Sequence, residues 1–216
     1  MSDGAKPIVI IGGGGHGREL HDILVAINGR GTAWDFLGFV DDHDLDAGIL
    51  HRIGAVHLGD QTILKDFAGA MFVIGIGAPA ARSTIETTAL QAGLQPATLV
   101  HPGAWTGLDV EIGAGSVLCA NVSITTNIVL GRQVHINRNA TVGHDTRIDD
   151  FVTLHPGAIV SGDATLGKGV TLGTNSTVIP GVSVGANTTV GAGAVVIRDL
   201  PPGVTAVGVP ARVLRR

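Results

Sequence analysis

Aromatic residues are scarce in this chain, at 3% of its 216 residues. A core centred on large rings is therefore excluded. The 44% of apolar residues must build the interior from Val, Ile, Leu and Ala, which suits thin layers rather than a broad globular core. Charge is low as well: 15% of residues are Asp, Glu, Lys or Arg, and the net charge is −4 with no basic cluster, which argues against nucleic acid as a partner. A single cysteine, Cys119, rules out an intramolecular disulfide and any multi-cysteine zinc site. No apolar run approaches the roughly 18 residues of a membrane span, and no charged-then-apolar leader pattern opens the chain. The expectation is a cytoplasmic protein without a membrane partner. Glycine is in excess instead: 33 residues, about twice the ordinary share of ~7%.

The first of those glycines stand in IVIIGGGGHGRELHDIL, Ile8 to Leu24. An apolar run ends in a glycine-rich turn, and Gly12, Gly14 and Gly17 fit the G-x-G-x-x-G spacing of dinucleotide-binding loops. Leu20, Ile23, Leu24 and Ile27 follow at helical spacing, so the pattern predicts a strand over 8–11 and a helix over 18–28. Further strands are expected over 36–40, 71–76 and 97–100, and helices over 61–67 and 80–92, with a turn-rich stretch up to Gly59. Residues 1–99 thus read as an α/β domain with a small parallel sheet, half-Rossmann-like. A complete dinucleotide site needs two mononucleotide-binding halves. There is room here for about one, so hydride transfer falls away. One half can still hold one nucleotide: the loop and helix N-terminus bind an anion, and Asp41 and Asp42 close the second strand, where they can accept hydrogen bonds from a base or ribose. The alternative is that Gly12–Gly15 only make a tight turn.

From about residue 100 the pattern has a period of six. Every sixth residue from Ile112 to Val196 is Val, Ile or Leu, fifteen positions in fifteen, and the residue four places after each is mostly small or β-branched. Each hexad is a short strand plus a tight turn, and three hexads make a triangular coil of 18 residues. Aliphatic residues then stack inside, coil upon coil, about 4.8 Å apart. Such hexapeptide repeats form left-handed parallel β-helices, an exception to the right-handed crossover rule. The expected organisation is therefore the α/β domain, a left-handed β-helix over 100–201, and a C-terminal tail over 202–216.

Within the repeat stands GHD, Gly143-His144-Asp145. Imidazole exchanges a proton near neutral pH, and an adjacent carboxylate can orient the ring and hold one tautomer. One coil below His144 is Thr126 and one coil above is Gly162. The missing side chain at Gly162 is expected to leave space for a substrate, with its N–H facing an acyl group or the arm that carries it. His155 stacks between Asn137 and Gly173; either it contacts a ligand or it lies at a subunit contact. His135 reads as an outward surface or interface residue. Asn121, Asn127, Asn137 and Asn139 read as turn caps. The flat, partly apolar faces of a β-helix prism call for oligomerisation. Arg212, Arg215 and Arg216 in the tail either meet phosphates or solubilise the C-terminus.

GGGGHG, FVDD, VIGIGAPAAR, VHPGA and ATVGHD, in this order, resemble the sugar acyltransferases typified by sialic acid O-acetyltransferase and by N-acetyltransferases of nucleotide-linked 4-amino-4,6-dideoxy sugars. The resemblance covers essentially the whole chain. It implies acetyl-CoA as co-substrate, no metal, and a homotrimer with the coenzyme A groove between two prisms. It further implies Gly14, Gly15 and His16 at the phosphates and sugar, Asp41 and Asp42 at the base, and Gly77 and Arg82 lining the same pocket. His144 with Asp145 matches the catalytic pair. The family's second His lies nine residues on; here that position is Thr153 and the nearest His is His155, assigned with Gly162 to the coenzyme side. Where the family often has GNN, this chain has Gly77-Ala78-Pro79. The leading reading is N-acetylation of a nucleotide-linked amino sugar by direct transfer with a His base. The alternative is O-acetylation of a sugar hydroxyl such as that of sialic acid. Zinc-dependent hydration needs three clustered His, and His135, His144 and His155 fall on different faces. A non-catalytic prism leaves GHD and the attached α/β domain unexplained.

Overall fold

The computed structural model describes residues 4–214. The chain divides into two compact units, one ending at Pro102 and the other beginning at Gly103. Arg215 and Arg216 lie outside the described residues.

The first unit is a five-stranded parallel sheet in the order β3-β2-β1-β4-β5. Its elements are β1 (Lys6–Ile11), α1 (Gly15–Asn28), β2 (Trp34–Val40), α2 (Ala47–Arg52), β3 (His57–Gly59), a 3-10 helix (Gln61–Phe67), β4 (Met71–Ile74), α3 (Pro79–Gln91) and β5 (Gln95–Pro96). The central strand β1 pairs with β2 on one side and β4 on the other. Both its faces are covered, so Ile8 to Ile11 are apolar without alternation and buried throughout. α1 lays Leu20, Ile23 and Leu24 on the sheet. α3 packs Ile85 and Ala89 with Val9, Ile11, Phe72 and Ile74. The expected half-Rossmann arrangement is present; its last strand, β5, is Gln95–Pro96, and within the expected 97–100 a separate strand covers Leu99–Val100.

The glycine spacing has a steric cause. Gly12 has φ +99°, and a Cβ there would meet Ile76. A Cβ on Gly17 would run into the Gly12 carbonyl oxygen, so α1 approaches the end of β1 only because both are glycine. Gly14 and Gly15 meet nothing, which leaves their outer side open. α2 and β3 occupy part of the stretch expected as turns. Asp46 caps α2, its Oδ1 accepting from the Ile49 N–H at 2.9 Å. Six residues are too few to display a helical period.

The second unit is the left-handed parallel β-helix. Strands of two or three residues stack into three sheets, parallel except that Arg212–Val213 runs antiparallel to Thr205–Val207. The register is 18 residues from Trp105 to Val196: Ser123 pairs Thr141, which pairs Ile159; Arg147 pairs Thr165; Thr153 pairs Thr171; only the last coil is shorter, with Thr189 pairing Thr205. Leu118, Ile124, Ile136, Leu154, Leu166, Leu172, Val178, Val190 and Val196 are fully buried inside. Each turn needs one residue in the left-handed region, and the ten non-glycine occupants include Asp109, Asn121, Asn127, Asn139, Asp145, Asp163, Asn175 and Asn187. Asn and Asp tolerate that conformation better than other L-residues. The asparagines at 121, 127 and 139 do sit in turns as expected; Asn137 instead is buried and donates from Nδ2 to the Leu154 carbonyl at 3.1 Å. Gln133 and Phe151 are the two remaining occupants, both buried. The Arg132 guanidinium lies 4.7 Å from the Phe151 ring centroid and bonds Asp150 at 3.0 Å. His135, expected at the surface, is buried, as are Val117 and Thr153 beside it on the same face.

His21 shows what burial does to an ionisable group in the first unit. It packs 4.5 Å from Phe36 and 6.1 Å from Phe39, ring to ring. Burial pushes its pKa down, and Asp22 offsets this in part. A lowered folded-state pKa means the unfolded chain binds the proton more readily. His21 therefore contributes stability above its unfolded value, near 6.5, that is lost as pH falls through the folded one. Urea unfolding of the N-terminal unit from pH 7.5 to 5 is expected to show a falling midpoint, and His21→Leu is expected to flatten that fall. An unchanged slope in the variant would remove His21 as its source.

Candidate active site

In the N-terminal unit the loops after β1 and β4 diverge on either side of the point where the strand order reverses, the usual ligand position in open α/β sheets. Gly14 caps α1 and Gly15 and His16 form its first turn. The N-terminus of α1 carries no side-chain cap. His16 is mostly buried, with Nδ1 3.3 Å from Glu19 Oε2.

The two carboxylates at the end of β2 are already engaged. Asp41 Oδ2 accepts the Gly13 N–H at 2.8 Å and Oδ1 accepts the His43 N–H at 3.0 Å. Burial alone would raise the Asp41 carboxyl; the Gly13 and His43 N–H groups and the His43 ring outweigh it, and the pKa is lowered. Asp42 accepts from the Gln61 backbone at 3.1 Å and from its side-chain amide at 2.6 Å. Asp41 thus holds the glycine loop. His57 Nε2 donates to the Asp41 carbonyl at 3.0 Å. His57 also lines a recess of about 410 Å³ with Leu45, Leu50 and Val56. Leu45 is the side chain that a Cβ on Gly13 would strike. Gly13, His43, His57 and Leu45 were not picked out from the sequence, since they act through backbone contacts that leave no motif.

Across the switch point, Arg82 is fully buried in α3. Its Nη1 donates to the carbonyls of Ile76 at 3.1 Å and Gly77 at 2.7 Å. Burial pushes the guanidinium down to about 10, which leaves it cationic at neutral pH. Arg82 therefore fixes the Gly77-Ala78-Pro79 loop from behind, and Gly77 itself has open space where a Cβ would be.

In the β-helix, His144 and Asp145 occupy the turn between the strands Thr141–Val142 and Arg147–Ile148. His144 Nδ1 lies 2.7 Å from Asp145 Oδ2, and the side chains are 65% and 50% exposed. Hydrogen bonds from His144 first, and from Asn127 second, hold the Asp145 carboxyl below its ordinary range. An ionised Asp145 accepts a hydrogen bond from the Nδ1–H, which leaves Nε2 of the neutral ring with the free lone pair. Asn127, read from the sequence only as a turn residue, donates from Nδ2 to Asp145 Oδ1. Gly162 is buried under the ring: a Cβ there would lie 2.6 Å from both Cε1 and Nε2 of His144. The space left by the absent side chain is occupied by the imidazole itself, not by room for a substrate. His155 is half-buried, in the turn after Thr153–Leu154, at the other edge of the Thr141 sheet from His144. The two histidines border one face without sharing a turn. Among the described residues no group of three or more His, Cys, Asp or Glu is placed to hold a metal ion. No described helix is long and apolar enough to cross a membrane.

Comparison with known proteins agrees with this layout. The PglD N-terminal domain family matches residues 7–88. Bacterial transferase hexapeptide repeats match 163–198, and the hexapeptide repeat of succinyl-transferase matches 103–126. A variant of perosamine N-acetyltransferase from Caulobacter crescentus, solved in complex with CoA and GDP-perosamine, is 32% identical, with 97% of each chain covered and a TM-score of 0.89. The chain belongs to the hexapeptide-repeat sugar acyltransferases. The acetyltransferase domain of PglB from Neisseria gonorrhoeae is 31% identical over 97% of this chain and 100% of its own, with a TM-score of 0.89. WeeI from Acinetobacter baumannii is 28% identical over 97% and 100%, with a TM-score of 0.85. No curated protein sequence matches.

Two outcomes follow for this acyltransferase. Gly162→Ala is expected to push the exposed His144 ring aside while the fold stays intact, because the backbone there is not left-handed. Acyl transfer should fall about 10-fold or more if the placement of the His144 ring matters to it, with thermal unfolding nearly unchanged; full activity would show that the ring does not need this seat. Asp41→Ala removes the acceptor for Gly13 and should raise KM for the loop's ligand about 10-fold, the scale of a lost charge-assisted hydrogen bond. Titration calorimetry with a panel of nucleotides checks it, and unchanged affinity would separate Asp41 from the loop's function.

Proposed function

We propose that this protein transfers the acetyl group of acetyl-CoA to the amino group of a nucleotide-linked amino sugar of the 4-amino-4,6-dideoxy type. The observation that carries this is a near full-length match to a nucleotide-sugar N-acetyltransferase in a chain holding both an open glycine loop and an oriented His–Asp pair. The reading gives the nucleotide to the α/β domain, residues 1–99, and the transfer to the β-helix, 100–201, with 202–216 as a tail.

In this reading Gly14, Gly15 and His16 take the diphosphate at the N-terminus of α1, where N–H groups and the helix dipole favour an anion. Asp41 and Asp42 serve the base side through the loop geometry they hold, and Gly77, held from behind by Arg82, forms the opposite wall. The sugar amine attacks the thioester carbonyl carbon and a tetrahedral adduct forms. His144 Nε2 takes the proton that the nitrogen gives up. The adduct collapses, the C–S bond breaks, and the thiolate of coenzyme A leaves and is protonated from the imidazolium. Asp145 stabilises that imidazolium and does not itself move a proton. No covalent enzyme intermediate is required. Gly162 and His155 are assigned to the coenzyme side. Three copies form a homotrimer, as the prism's Trp105 and Ile159, 57% and 41% exposed on one sheet, favour. The same reading expects the reaction in the cytoplasm.

The test is release of free coenzyme A from acetyl-CoA against a panel of nucleotide-linked 4-amino and 3-amino sugars and free sialic acid, for wild type and His144→Ala. Turnover with one nucleotide amino sugar, reduced about 10²- to 10⁴-fold in the variant, is the expected result. Turnover with free sialic acid alone would instead make the protein an O-acetyltransferase. A variant that keeps its rate would remove His144 as the base.

A further inference from the structure

The corner of the prism that carries Asp145 is a ladder of left-handed turn residues 18 apart. Asp109, Asn127, Asp145 and Asp163 have φ of 58°, 54°, 59° and 57°. Asp and Asn satisfy the backbone equally well there, and the amide stands at the one position directly below Asp145.

We propose that Asn127 is a positioning residue for the transfer, acting through Asp145 to fix the tautomer and aim of His144. This rests on His144 being the base. Asp145 has two oxygens and each has one assignment: Oδ1 accepts from Asn127 Nδ2, and Oδ2 lies 2.7 Å from His144 Nδ1. With its side chain 50% exposed, Asp145 is not held by packing. A carboxylate tied at Oδ2 alone can swing about its side-chain torsions and carry the imidazole with it. Tied at both oxygens, its plane is set and the ring's direction follows.

The donor is itself anchored. The Asp145 N–H bonds the Thr126 carbonyl at 3.1 Å, Thr126 Oγ1 donates to the Leu108 carbonyl at 2.8 Å, and the Ile128 N–H bonds the Asp109 carbonyl at 3.0 Å. Asn127 is thus fixed from both sides. An aspartate in its place would set two carboxylates against each other and offer no donor. Asn121 makes the same stack on Asn139 at another corner, 3.2 Å between Nδ2 and Oδ1. That pair holds no ionisable group, so the stacked amide is in itself a structural device. Asn127 differs because the oxygen it holds belongs to the carboxylate that orients the histidine.

The ionisable groups around the pair are His144, Asp109 one coil below Asn127, and Asp163 one coil above Asp145; the Asp163 N–H donates to the His144 carbonyl at 2.8 Å. Asn127 favours the ionised carboxylate. Removing its donor should raise the pH at which Asp145 takes up a proton, and moving a second carboxylate in should raise it further.

Asn127→Gly keeps the left-handed turn and deletes the donor. Its kcat is expected to fall about 3- to 10-fold, the scale of one hydrogen bond, with KM for both substrates within about 2-fold and the acid limb of the pH profile moved upward. Asn127→Asp, which also keeps the turn, should lose more and move the limb further. In an Asp145→Gly background, Asn127→Gly should cost nothing more. The proposal is overturned if Asn127→Gly leaves kcat and the acid limb unchanged, or if it lowers kcat equally with and without the Asp145 carboxylate, which would mark a structural role. If Asn127→Gly does not fold, the acid limb of Asn127→Asp decides: no upward movement overturns the proposal. Activity retained by His144→Ala would sink the base assignment itself. A dead His144→Ala beside a fully active Asn127→Gly sinks this inference alone.

Discussion

The parallel register of 18 residues is the constraint on which the β-helix and its chemistry both depend. The strand N–H groups bond carbonyls one coil away, so a strand residue's neighbours are known once its own position is known. Inside, the register stacks aliphatic on aliphatic and removes the need for large rings. At the corners it stacks turn residue on turn residue. His144 lies against Gly162, and Asp145 lies on Asn127, for the same reason that Leu154 lies on Ile136. A triangular coil with no spare residue sets the neighbours of an exposed side chain as strictly as those of a buried one. Loops between larger elements do not do this.

The α/β unit solves a related problem differently. Its strand order places two loops at one switch point, and each loop is held by a charged side chain behind it. Asp41 holds the Gly13 N–H; Arg82 holds the Ile76 and Gly77 carbonyls. The outward surfaces of Gly14, Gly15 and Gly77 are left clear. This division of labour explains why charged residues at a phosphate-type loop do not project into it: one negative and one positive group each satisfy backbone of the opposite polarity. The backbone then presents itself to a ligand in a fixed shape.

Much of this was legible in the sequence, because both units obey strict periodicities. The fifteen-fold aliphatic repeat gave the prism, and unbroken apolar strands beside glycines gave the parallel sheet. GHD could be placed on a turn, and its vertical neighbours could be counted off in steps of 18. What could not be read is where a side chain turns once it gets there. Gly162 was correctly placed above His144, yet whether the gap would hold a ligand or the ring depends on a torsion angle that spacing does not encode. Asp41 and Asp42 were correctly placed at the end of β2, but partners 28 and 19 residues away took their oxygens. His135 sits at an outward position of its hexad and is buried all the same. α2 and β3 were too short to show a period.

The His144–Asp145 pair is half or more exposed, and this bears on how the pair can serve the proposed transfer. In a water-filled turn the interaction of charges is screened, and a low-dielectric gain is not available to the chain in this form. An amine attacking a thioester asks little of its base until the carbon–nitrogen bond is forming, when the nitrogen becomes strongly acidic. With His144 as the proposed base, the demand on the protein is geometric: Nε2 must lie where the proton is released, and stay there. In that reading Asp145, in a left-handed turn, held at Oδ1 from the coil below and bonded to His144 through Oδ2, answers the demand without burial. The substrates themselves, by covering the turn when they bind, would supply the exclusion of water that the turn alone lacks.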